Sequence, residues 1–561
     1  MSMENIVVVD PLSTGENYIN DIIQRGFRPI CLWSKRNDII FETMSEDRNA
    51  VEHHYHDRAE FLIECDTYEK TLGMVKEYAP KLIVIGGEVG VELATKLAAD
   101  LRLPGNPIER IPALTNKHLM NQALIEYGIR GIRGTMVHNW EEIITFYREQ
   151  KLKGCVLKPY RGAGSFGVRV CENEEELKDA FNEVFSTANA MGGEEDGMLL
   201  QEKIEGTEYV VNTISCNGMH KLSSIWKYAK KTVEGGGKVY SITEFLEHLE
   251  TGSSSLVRYA FEVLKALGVT NGIVHSEFMI DEKGPVLIEA NCRVIGNHMS
   301  ADYMDRMLGH HETDLLLDAY LHPDAFAAHM NDPYRPLAKG FMKNIIVGRD
   351  MNVVSAPILS LLRHQKSFYG ASIPKIESGH LDRTIDLATS AGVIYFVNGD
   401  YGQLHRDRDF IERIESGYFD MLFSGKTVKS DEKPEKMESI EEVISRLNPV
   451  GTILLLSNEI RQLDGVTCVS VEDIEAESDG YAFGIFDMNY RENEDYNIII
   501  DSFFRLVDKV RNRGCIIVPE RSCWHLPCGR ESIEIMSEAA GLLVEAPAMD
   551  AGDTLIIRKI S

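Results

Sequence analysis

Residues 275–293, HSEFMIDEKGPVLIEANCR, contain two runs of strand-forming residues on either side of a polar turn, Asp281-Glu-Lys-Gly284. A turn of this composition between two apolar runs predicts a β-hairpin. Because the side chains of a strand alternate between its two faces, Glu289, Asn291 and Arg293 fall on one face of the second strand. The residues between them fall on the other face. The stretch therefore predicts a hairpin with one polar face and one core face.

The polar face of this hairpin brings two carboxylates close together. If the connection has an odd number of residues, Glu277 lies directly opposite Glu289, and facing like charges destabilise a strand pair. A cation between them removes the conflict, and Mg²⁺ prefers carboxylates, an amide oxygen such as that of Asn291, and substrate phosphates. Arg293 offers a planar guanidinium for a carboxylate or an acyl phosphate. A solvated polar strand face is the alternative interpretation.

Upstream of the hairpin, the sequence predicts a helix that is capped by Thr115 and ends at Gly128. A glycine-rich loop follows this helix, between two further predicted strands. The strand Val156-Leu-Lys158 leads into PYRGAGSFG, residues 159–167, and the strand Val168 to Cys171 follows. Backbone N–H groups of such a loop can surround phosphates beside the charge of Lys158. Dinucleotide sites and protein-kinase loops share this glycine spacing. However, no helix follows the loop directly, no Gly-Lys-Ser/Thr ending is present, and the lysine precedes the loop.

In combination these motifs resemble the ATP-grasp superfamily, and especially its L-amino-acid ligase branch, whose members make dipeptide-like amides. The resemblance covers Val8 to about Gly425. It implies that Lys117 and Lys158 are the two lysines that bind ATP. It also implies further nucleotide contacts from the glycine loop and from a hinge segment, QEKIEGTE at residues 201–208. These contacts are Gly164, Ser165 and Phe166 in the loop, Glu202 and the backbone near Ile204 at adenine, and Glu208 at the ribose.

The same resemblance implies the roles of the hairpin residues. Glu277, Glu289 and Asn291 match the ligands of Mg²⁺, with Mn²⁺ as an alternative ion. Arg293 and Lys158 match residues that stabilise charge during acyl phosphate formation. Residues 294–299, VIGNHM, match the loop that shapes the acyl-substrate pocket, so Arg293, Asn297 and His298 are candidate substrate contacts. A packed or supporting histidine is an equally open interpretation of His298.

The implied activity is that of an ADP-forming carboxylate-amine ligase that joins amino acids through an acyl phosphate, with ATP and small molecules as its substrates. Two alternatives stay open. One is a carboxylase-like ATP-grasp enzyme whose acceptor is not an amine. The other is a nucleotide-binding scaffold that has lost catalysis, although a pure scaffold has no need of two facing carboxylates.

The length of 561 residues and the alternation of strands and helices predict an α/β multidomain protein. We expect a pre-ATP-grasp α/β domain, an ATP-grasp domain with a central ATP cleft, and the C-terminal part of the ligase. A Rossmann-like accessory domain follows the polar run Lys426 to Glu438 and resembles the second half of a class I methyltransferase. Its first strand lacks a glycine-rich turn, so we do not expect S-adenosylmethionine binding. The predicted boundaries are 1–113, 114–325, 326–430 and 440–561.

Composition limits the partners and the compartment. A formal net charge of −28 repels nucleic-acid backbones. No apolar run approaches the roughly 20 residues that span a bilayer, so we expect no membrane segment. The ten cysteines are scattered, which indicates reduced thiols in core positions. The chain starts without a signal-peptide pattern, so we expect a cytoplasmic protein. The family resemblance further suggests a homodimer.

Overall fold

A computed structural model describes residues 3–35, 45–160, 167–190, 197–233, 238–246, 253–296, 298–353, 357–373, 379–385, 389–417, 439–447, 451–457, 462–463, 466–470, 473–487, 496–519, 530–545 and 555–559. The chain divides into two compact units. The first comprises Met1–Met342 with Ile385–Ala388, and the second comprises Lys343–Thr384 with Thr389–Ser561. Among the described helices, none has the length and apolar character needed to cross a membrane.

The first unit begins with a parallel four-stranded sheet of order β3-β2-β1-β4. Its strands are β1 (Asn5–Val9), β2 (Arg28–Trp33), β3 (Glu60–Ile63) and β4 (Leu82–Ile85). The run from Ile6 to Val9 is fully buried, as continuous apolar strands of parallel sheets are. The helices of this region are α1 (Asn17–Gln24), α2 (Ser45–Tyr55), α3 (Tyr68–Glu77), α4 (Val91–Asp100) and α5 (Ile111–Thr115).

A small antiparallel sheet of order β5-β8-β6-β7 follows. Its strands are β5 (Gly134–Val137), β6 (Cys155–Lys158), β7 (Arg169–Cys171) and β8 (Met198–Glu202), and its helices are α6 (Lys117–Tyr127), α7 (Trp140–Glu149) and α8 (Glu174–Ala190). The predicted strand pair around the glycine-rich loop is confirmed as β6 and β7. Leu157 of β6 packs in one core cluster with Val137, Ile143 and Leu177.

The cap of helix α6 differs from its prediction. The sequence predicts Thr115 as the cap, but Asn116 holds that position, and its side chain accepts hydrogen bonds from the backbone N–H groups of His118 and Leu119. Thr115 instead ends α5 and donates its hydroxyl to the carbonyl of Ile111. The predicted end of the helix at Gly128 is confirmed, with a φ of 89° that glycine adopts without strain.

A larger antiparallel sheet completes the frame of the site. Its strands are β9 (Thr207–Cys216), β10 (Met219–Thr232), β11 (Lys238–Phe245), β12 (Gly272–Asp281) and β13 (Gly284–Asn291), in the order β13-β12-β9-β10-β11. One face packs with α6 and α9 (Ser253–Leu267) around Val211, Phe278 and Ala290. The opposite face carries the polar residues of the site. Three more helices follow: α10 (Ala301–Leu308), α11 (Glu312–Leu321) and α12 (Pro323–Ala328).

The chain passes from the first unit to the second within β14 (Lys339–Asn344). The first part of the second unit contains β15 (Met351–Asn352), β16 (Phe368–Ser372), β17 (His380–Leu381) and β18 (Val393–Asn398), with α13 (Pro357–Arg363) and α14 (Tyr401–Gly417). Strands β16 and β18 pair in antiparallel fashion, as do β15 and β17.

The last part of the second unit is a six-stranded sheet of order β20-β19-β21-β22-β24-β23. Its first four strands in that order are parallel, and β24 is antiparallel to both neighbours. The strands are β19 (Ile453–Ser457), β20 (Val466–Val469), β21 (Tyr481–Asp487), β22 (Val510–Val518), β23 (Leu543–Glu545) and β24 (Leu555–Arg558). The helices are α15 (Ile440–Leu447), α16 (Tyr496–Lys509) and α17 (Arg530–Ala539). The predicted strand-helix alternation is confirmed in this stretch.

Candidate functional site

The predicted hairpin is present, and a β-bulge sets its register. The strands pair from Asp281 with Gly284 to Phe278 with Leu287, and this register alone would place Glu277 opposite Ile288. The pairing shifts by one residue between Phe278 and Glu277, so that Glu277 lies opposite Glu289. One extra residue on one strand is the definition of a bulge, and such irregularities re-aim side chains. The two carboxylates therefore face each other as predicted, but the bulge is the reason, because the connection of the strands, Glu282 and Lys283, has an even number of residues and not the odd number that the prediction required.

Two lysines from other elements balance the charge of this carboxylate pair. Lys117, the first residue of α6, places its Nζ 2.8 Å from Oε2 of Glu289. Lys158, the last residue of β6, is buried nearby. Burial alone would raise the pKa of Glu289, but Lys117, Lys158 and a 3.1 Å hydrogen bond from Nδ2 of Asn291 together lower it to about 2. Glu289 is therefore an anion throughout the neutral range.

Lys158 experiences opposing influences at the same place. Burial lowers the pKa of Lys158 to about 8, and the charge of Lys117 acts in the same direction. Glu289, Glu277 and Glu208 oppose this shift. The site therefore concentrates both signs of charge on one partly buried surface, which is typical of functional sites.

Arg293 meets a carboxylate that the sequence analysis missed. Its Nε lies 3.4 Å from Oε2 of Glu88, which belongs to the loop between β4 and α4. Among the described residues, that oxygen has no hydrogen-bond partner. Burial raises the pKa of Glu88, Glu289 adds to this effect, and Arg293 and Lys117 oppose it. The sequence offered one signal for Glu88, which is its position after a predicted strand. Loops at the carboxyl ends of parallel strands bind ligands in open α/β sheets.

A second loop of the parallel sheet supports the predicted substrate loop. The hydroxyl of Thr14 donates to the carbonyl of Gly296 at 3.1 Å and accepts from the backbone N–H of Met299 at 3.0 Å. The backbone N–H of His298 donates to the hydroxyl of Ser13 at 3.0 Å. His298 has a φ of 50° and an exposed side chain. The first strand-helix loop thus fixes the backbone that follows Arg293.

Comparison with known proteins identifies the family. Residues 152–302 match the family described as ATP-grasp domain. Dapdiamide A synthase from Enterobacter agglomerans is 30% identical over 331 residues, which make up 58% of this chain and 74% of that protein. The chain belongs to the ATP-grasp family.

Two further similarities agree with this ATP-grasp assignment. Phosphoribosylamine-glycine ligase from Methanocaldococcus jannaschii is 29% identical over 257 residues, 40% of this chain and 56% of that protein. The crystal structure of an L-amino acid ligase from Bacillus licheniformis superposes with a TM-score of 0.55 at 16% identity, over 74% of this chain and 98% of that one. The second similarity shows the fold, and the relatives include carboxylate-amine ligases.

The residues expected at the ATP-grasp nucleotide lie along β8 and the start of β9. Glu202 accepts hydrogen bonds at 2.6 and 2.8 Å from the guanidinium of Arg133. Ile204 is half-buried in the segment between the two strands. Glu208 is buried and pairs with Lys230 at 2.8 Å. Burial raises the pKa of Glu208, and Lys230 opposes this. Four predicted contacts lie outside the described residues: Gly164, Ser165, Phe166 and Asn297.

The donor set on the hairpin suits the Mg²⁺ that the ATP-grasp family implies. Glu277 and Glu289 supply carboxylates from facing positions of two strands. Asn291 donates its amide hydrogen to Glu289, which leaves its oxygen as an acceptor for a cation. Hard oxygen donors of this kind match the preference of Mg²⁺. In ATP-dependent enzymes phosphate oxygens and water molecules usually complete the coordination of this ion.

Proposed function

We propose that this chain is an ATP-dependent carboxylate-amine ligase that forms an amide between amino acids through an acyl phosphate, with ADP and phosphate as the other products. One observation carries the proposal: Glu277 and Glu289 face each other on a surface that also holds a lysine ion pair. Two opposed carboxylates with cationic neighbours suit a Mg²⁺-bound triphosphate.

The proposed roles follow from the chemistry of each side chain. Glu277, Glu289 and Asn291 would hold Mg²⁺, which when bound neutralises charge on the phosphate oxygens. Lys117 and Lys158 would contact the phosphates as point charges. Glu202, Ile204 and Glu208 would contact the nucleoside, and Gly164, Ser165 and Phe166 the phosphates, by the family resemblance. Arg293 would hold the donor carboxylate while it attacks the γ-phosphate, and would then stabilise the charge of the acyl phosphate.

The Arg293–Glu88 pair supports an α-amino acid as the carboxylate donor. Arg293 is complementary to a carboxylate, and Glu88 is complementary to an ammonium group next to it. A zwitterion presents both charges, whereas bicarbonate presents only one. Dapdiamide A synthase and the L-amino acid ligase add support through their names. Asn297 and His298 would complete the pocket.

The six-stranded sheet of the second unit supports an accessory role for the end of the chain. We propose that residues 440–561 are a Rossmann-like module related to methyltransferases, and that 326–430 complete the ligase. The four parallel strands followed by antiparallel β24 are compatible with that relationship. We assign this module a structural or dimerising role. We further propose that the ligase is a homodimer and that it acts in the cytoplasm.

Phosphate release from ATP and Mg²⁺ across a panel of amino acids, singly and in pairs, tests the proposal. The decisive variant is Glu289→Ala, and Glu282→Ala on the exposed turn of the same hairpin is its matched control. We expect release that requires one pair, yields an amide by mass spectrometry, and is lost only in Glu289→Ala. Release with bicarbonate in place of an amine would favour the carboxylase-like alternative. No release with any substrate would favour the scaffold.

A further inference from the structure

The turn between β1 and α1 lies between the two chain segments that carry the proposed donor contacts. We call residues 13–17, which end with the first residue of α1, the spacer loop. On one side the spacer loop forms hydrogen bonds with the backbone that follows Arg293. On its other side it packs against the backbone just before Glu88. The position of Arg293 relative to Glu88 therefore depends on this loop.

Thr14 makes the central contacts of the spacer loop. Its hydroxyl donates to the carbonyl of Gly296 at 3.1 Å and accepts from the backbone N–H of Met299 at 3.0 Å. A hydroxyl can donate and accept at the same time, so this one group ties together two backbone positions of the same segment. Thr14 is 3% exposed and Met299 is fully buried, so loss of the hydroxyl would leave buried backbone groups without a partner.

Two neighbours of Thr14 strengthen this attachment. Oγ of Ser13 accepts from the backbone N–H of His298 at 3.0 Å. Nδ2 of Asn17 donates to the carbonyl of Met299 at 2.9 Å. All of these bonds end on main-chain atoms of the segment that follows Arg293. The spacer loop therefore fixes the path of that backbone directly, and not only the orientation of its side chains.

The other side of the spacer loop is a close contact between two backbones. Gly15 is buried, and a Cβ atom added to it would overlap the carbonyl group of Gly86. A Cβ atom added to Gly86 would in turn overlap the backbone at Asp10 and Pro11. Glycine permits such an approach because it has no side chain. The contact therefore contains no flexible side chain that could absorb a displacement between the spacer loop and the segment of Glu88.

We propose that Thr14 is a positioning residue that sets the separation of Arg293 and Glu88 and thereby the fit of the donor amino acid. This inference rests on the proposed function, in which these two side chains contact the donor. Nε of Arg293 lies 3.4 Å from Oε2 of Glu88, and both residues belong to backbones that the spacer loop holds. Thr14 does not touch the donor in this role. A misplacement of about 1 Å is enough to weaken the productive binding of a substrate strongly.

The test compares Thr14→Val with the wild-type full-length protein in the phosphate-release assay. The substrates are ATP, Mg²⁺ and the pair of amino acids that releases the most phosphate, and the donor is the member whose carboxyl group enters the amide. Valine keeps the shape of threonine but removes both hydrogen bonds of the hydroxyl. We expect the KM for the donor to rise at least about fivefold and the KM for ATP to stay within about twofold. Thr14→Ser keeps the hydroxyl and should restore the KM for the donor to within about twofold of the wild-type value.

Thr71→Val is the matched control. Thr71 is fully buried in α3, and its hydroxyl also donates to a carbonyl, that of Thr67 at 3.2 Å, and accepts from a backbone N–H, that of Cys65 at 2.9 Å. It removes the same kind of bonds outside the spacer loop, so it should leave both KM values unchanged. The unfolding midpoint of each variant shows whether it is folded at the assay temperature.

A second variant covers the case in which Thr14→Val does not fold. Asn17→Ala removes a single hydrogen bond to Met299 at a half-buried position. It should raise the KM for the donor by a smaller factor than Thr14→Val and leave the KM for ATP unchanged. If Thr14→Val fails to fold, an unchanged KM for the donor in Asn17→Ala overturns the inference.

The outcomes separate this inference from the proposed function. If no pair of amino acids supports phosphate release by the wild-type protein, the proposed function and the positioning role are both wrong. If release is found, and folded Thr14→Val leaves the KM for the donor unchanged or raises both KM values equally, only the positioning role is wrong. A raised KM for the donor alone, with recovery in Thr14→Ser and no change in Thr71→Val, supports it.

Discussion

Lys117 Nζ and Glu289 Oε2 lie 2.8 Å apart, which joins the first residue of helix α6 to the second strand of the hairpin. The pair compensates the negative charge of Glu289, which is partly buried and faces the carboxylate of Glu277. It also places a cation where the triphosphate of ATP is proposed to bind. A single interaction thus links the start of one helix to the charge balance of the whole site.

Replacement of Lys117 by methionine should weaken nucleotide binding. The change removes a phosphate contact and leaves Glu289 with less compensation, so the site becomes more negative. We expect the Kd for ATP, measured by calorimetry, to rise at least about tenfold, which corresponds to about 1.4 kcal/mol. Lys96→Met, which breaks a partly buried ion pair with Glu92 within helix α4, is the control. Equal ATP affinity in Lys117→Met and Lys96→Met would argue against the role of Lys117.

Replacement of Glu88 by glutamine should act on the amino-acid donor and spare the nucleotide. The amide keeps the shape of the side chain but loses the charge that would pair with an ammonium group. We expect the KM for the donor amino acid to rise about tenfold to a hundredfold, in the range of a lost charged contact. The KM for ATP should stay within about twofold of the wild-type value.

The control for this experiment is Glu92→Gln, in the first turn of helix α4, which follows the same loop. A donor analogue without its amino group sharpens the result. The wild-type protein should bind this analogue as poorly as Glu88→Gln binds the complete donor amino acid. If Glu88→Gln raises the KM for ATP and the KM for the donor equally, Glu88 does not recognise the ammonium group of the donor.

The hairpin shows what the sequence could and could not predict. Alternation of polar and apolar residues correctly assigned the two faces, because side-chain period is a local property of a strand. The opposition of Glu277 and Glu289 was stated only as a condition on the connection. That condition is not met, because the connection has two residues; the opposition arises instead from a bulge at Ile288, and no residue pattern near Ile288 signals one. Register depends on packing of the whole sheet, which a sequence pattern does not contain.

The cap of helix α6 gives a stability prediction from a corrected assignment. Asn116 accepts two backbone hydrogen bonds at the helix start, whereas Thr115 bonds within the previous helix. Asn116→Ala should lower the free energy of unfolding by about 1 kcal/mol, and Thr115→Ala by less than about 0.5 kcal/mol. Urea denaturation of the two variants measures this. The reverse order would restore Thr115 as the cap.

Long-range contacts explain the residues that the sequence analysis missed. Glu88 reaches Arg293 across about two hundred positions of chain, and it belongs to a loop with no chemical motif. Thr14 reaches Gly296 in the same way, from a turn whose own sequence carries no nucleotide or substrate motif. Motifs predicted the residues whose neighbours are close in sequence. Residues that are brought in by tertiary folding carry no such signal.

A buried histidine joins helix α1 to helix α10, and it makes stability depend on pH. Nε2 of His311 lies 3.0 Å from Oδ1 of Asp21, and Nδ1 lies 2.8 Å from Oδ1 of Asp305. Burial alone would lower the pKa of His311, but the hydrogen bonds and charges of Asp21 and Asp305 raise it to about 9. The imidazole is therefore charged in the folded protein at neutral pH.

Because the folded pKa is above the unfolded value of about 6.5, the protonated form stabilises the fold. This contribution, up to about 3 kcal/mol, is complete below pH of about 6.5 and is lost as the pH rises through about 9. Denaturant unfolding from pH 6 to 10 should show that loss, and His311→Gln should remove it. His322→Gln, at an exposed histidine nearby, should keep it. A parallel decline in wild-type protein and His311→Gln would place the pH dependence elsewhere.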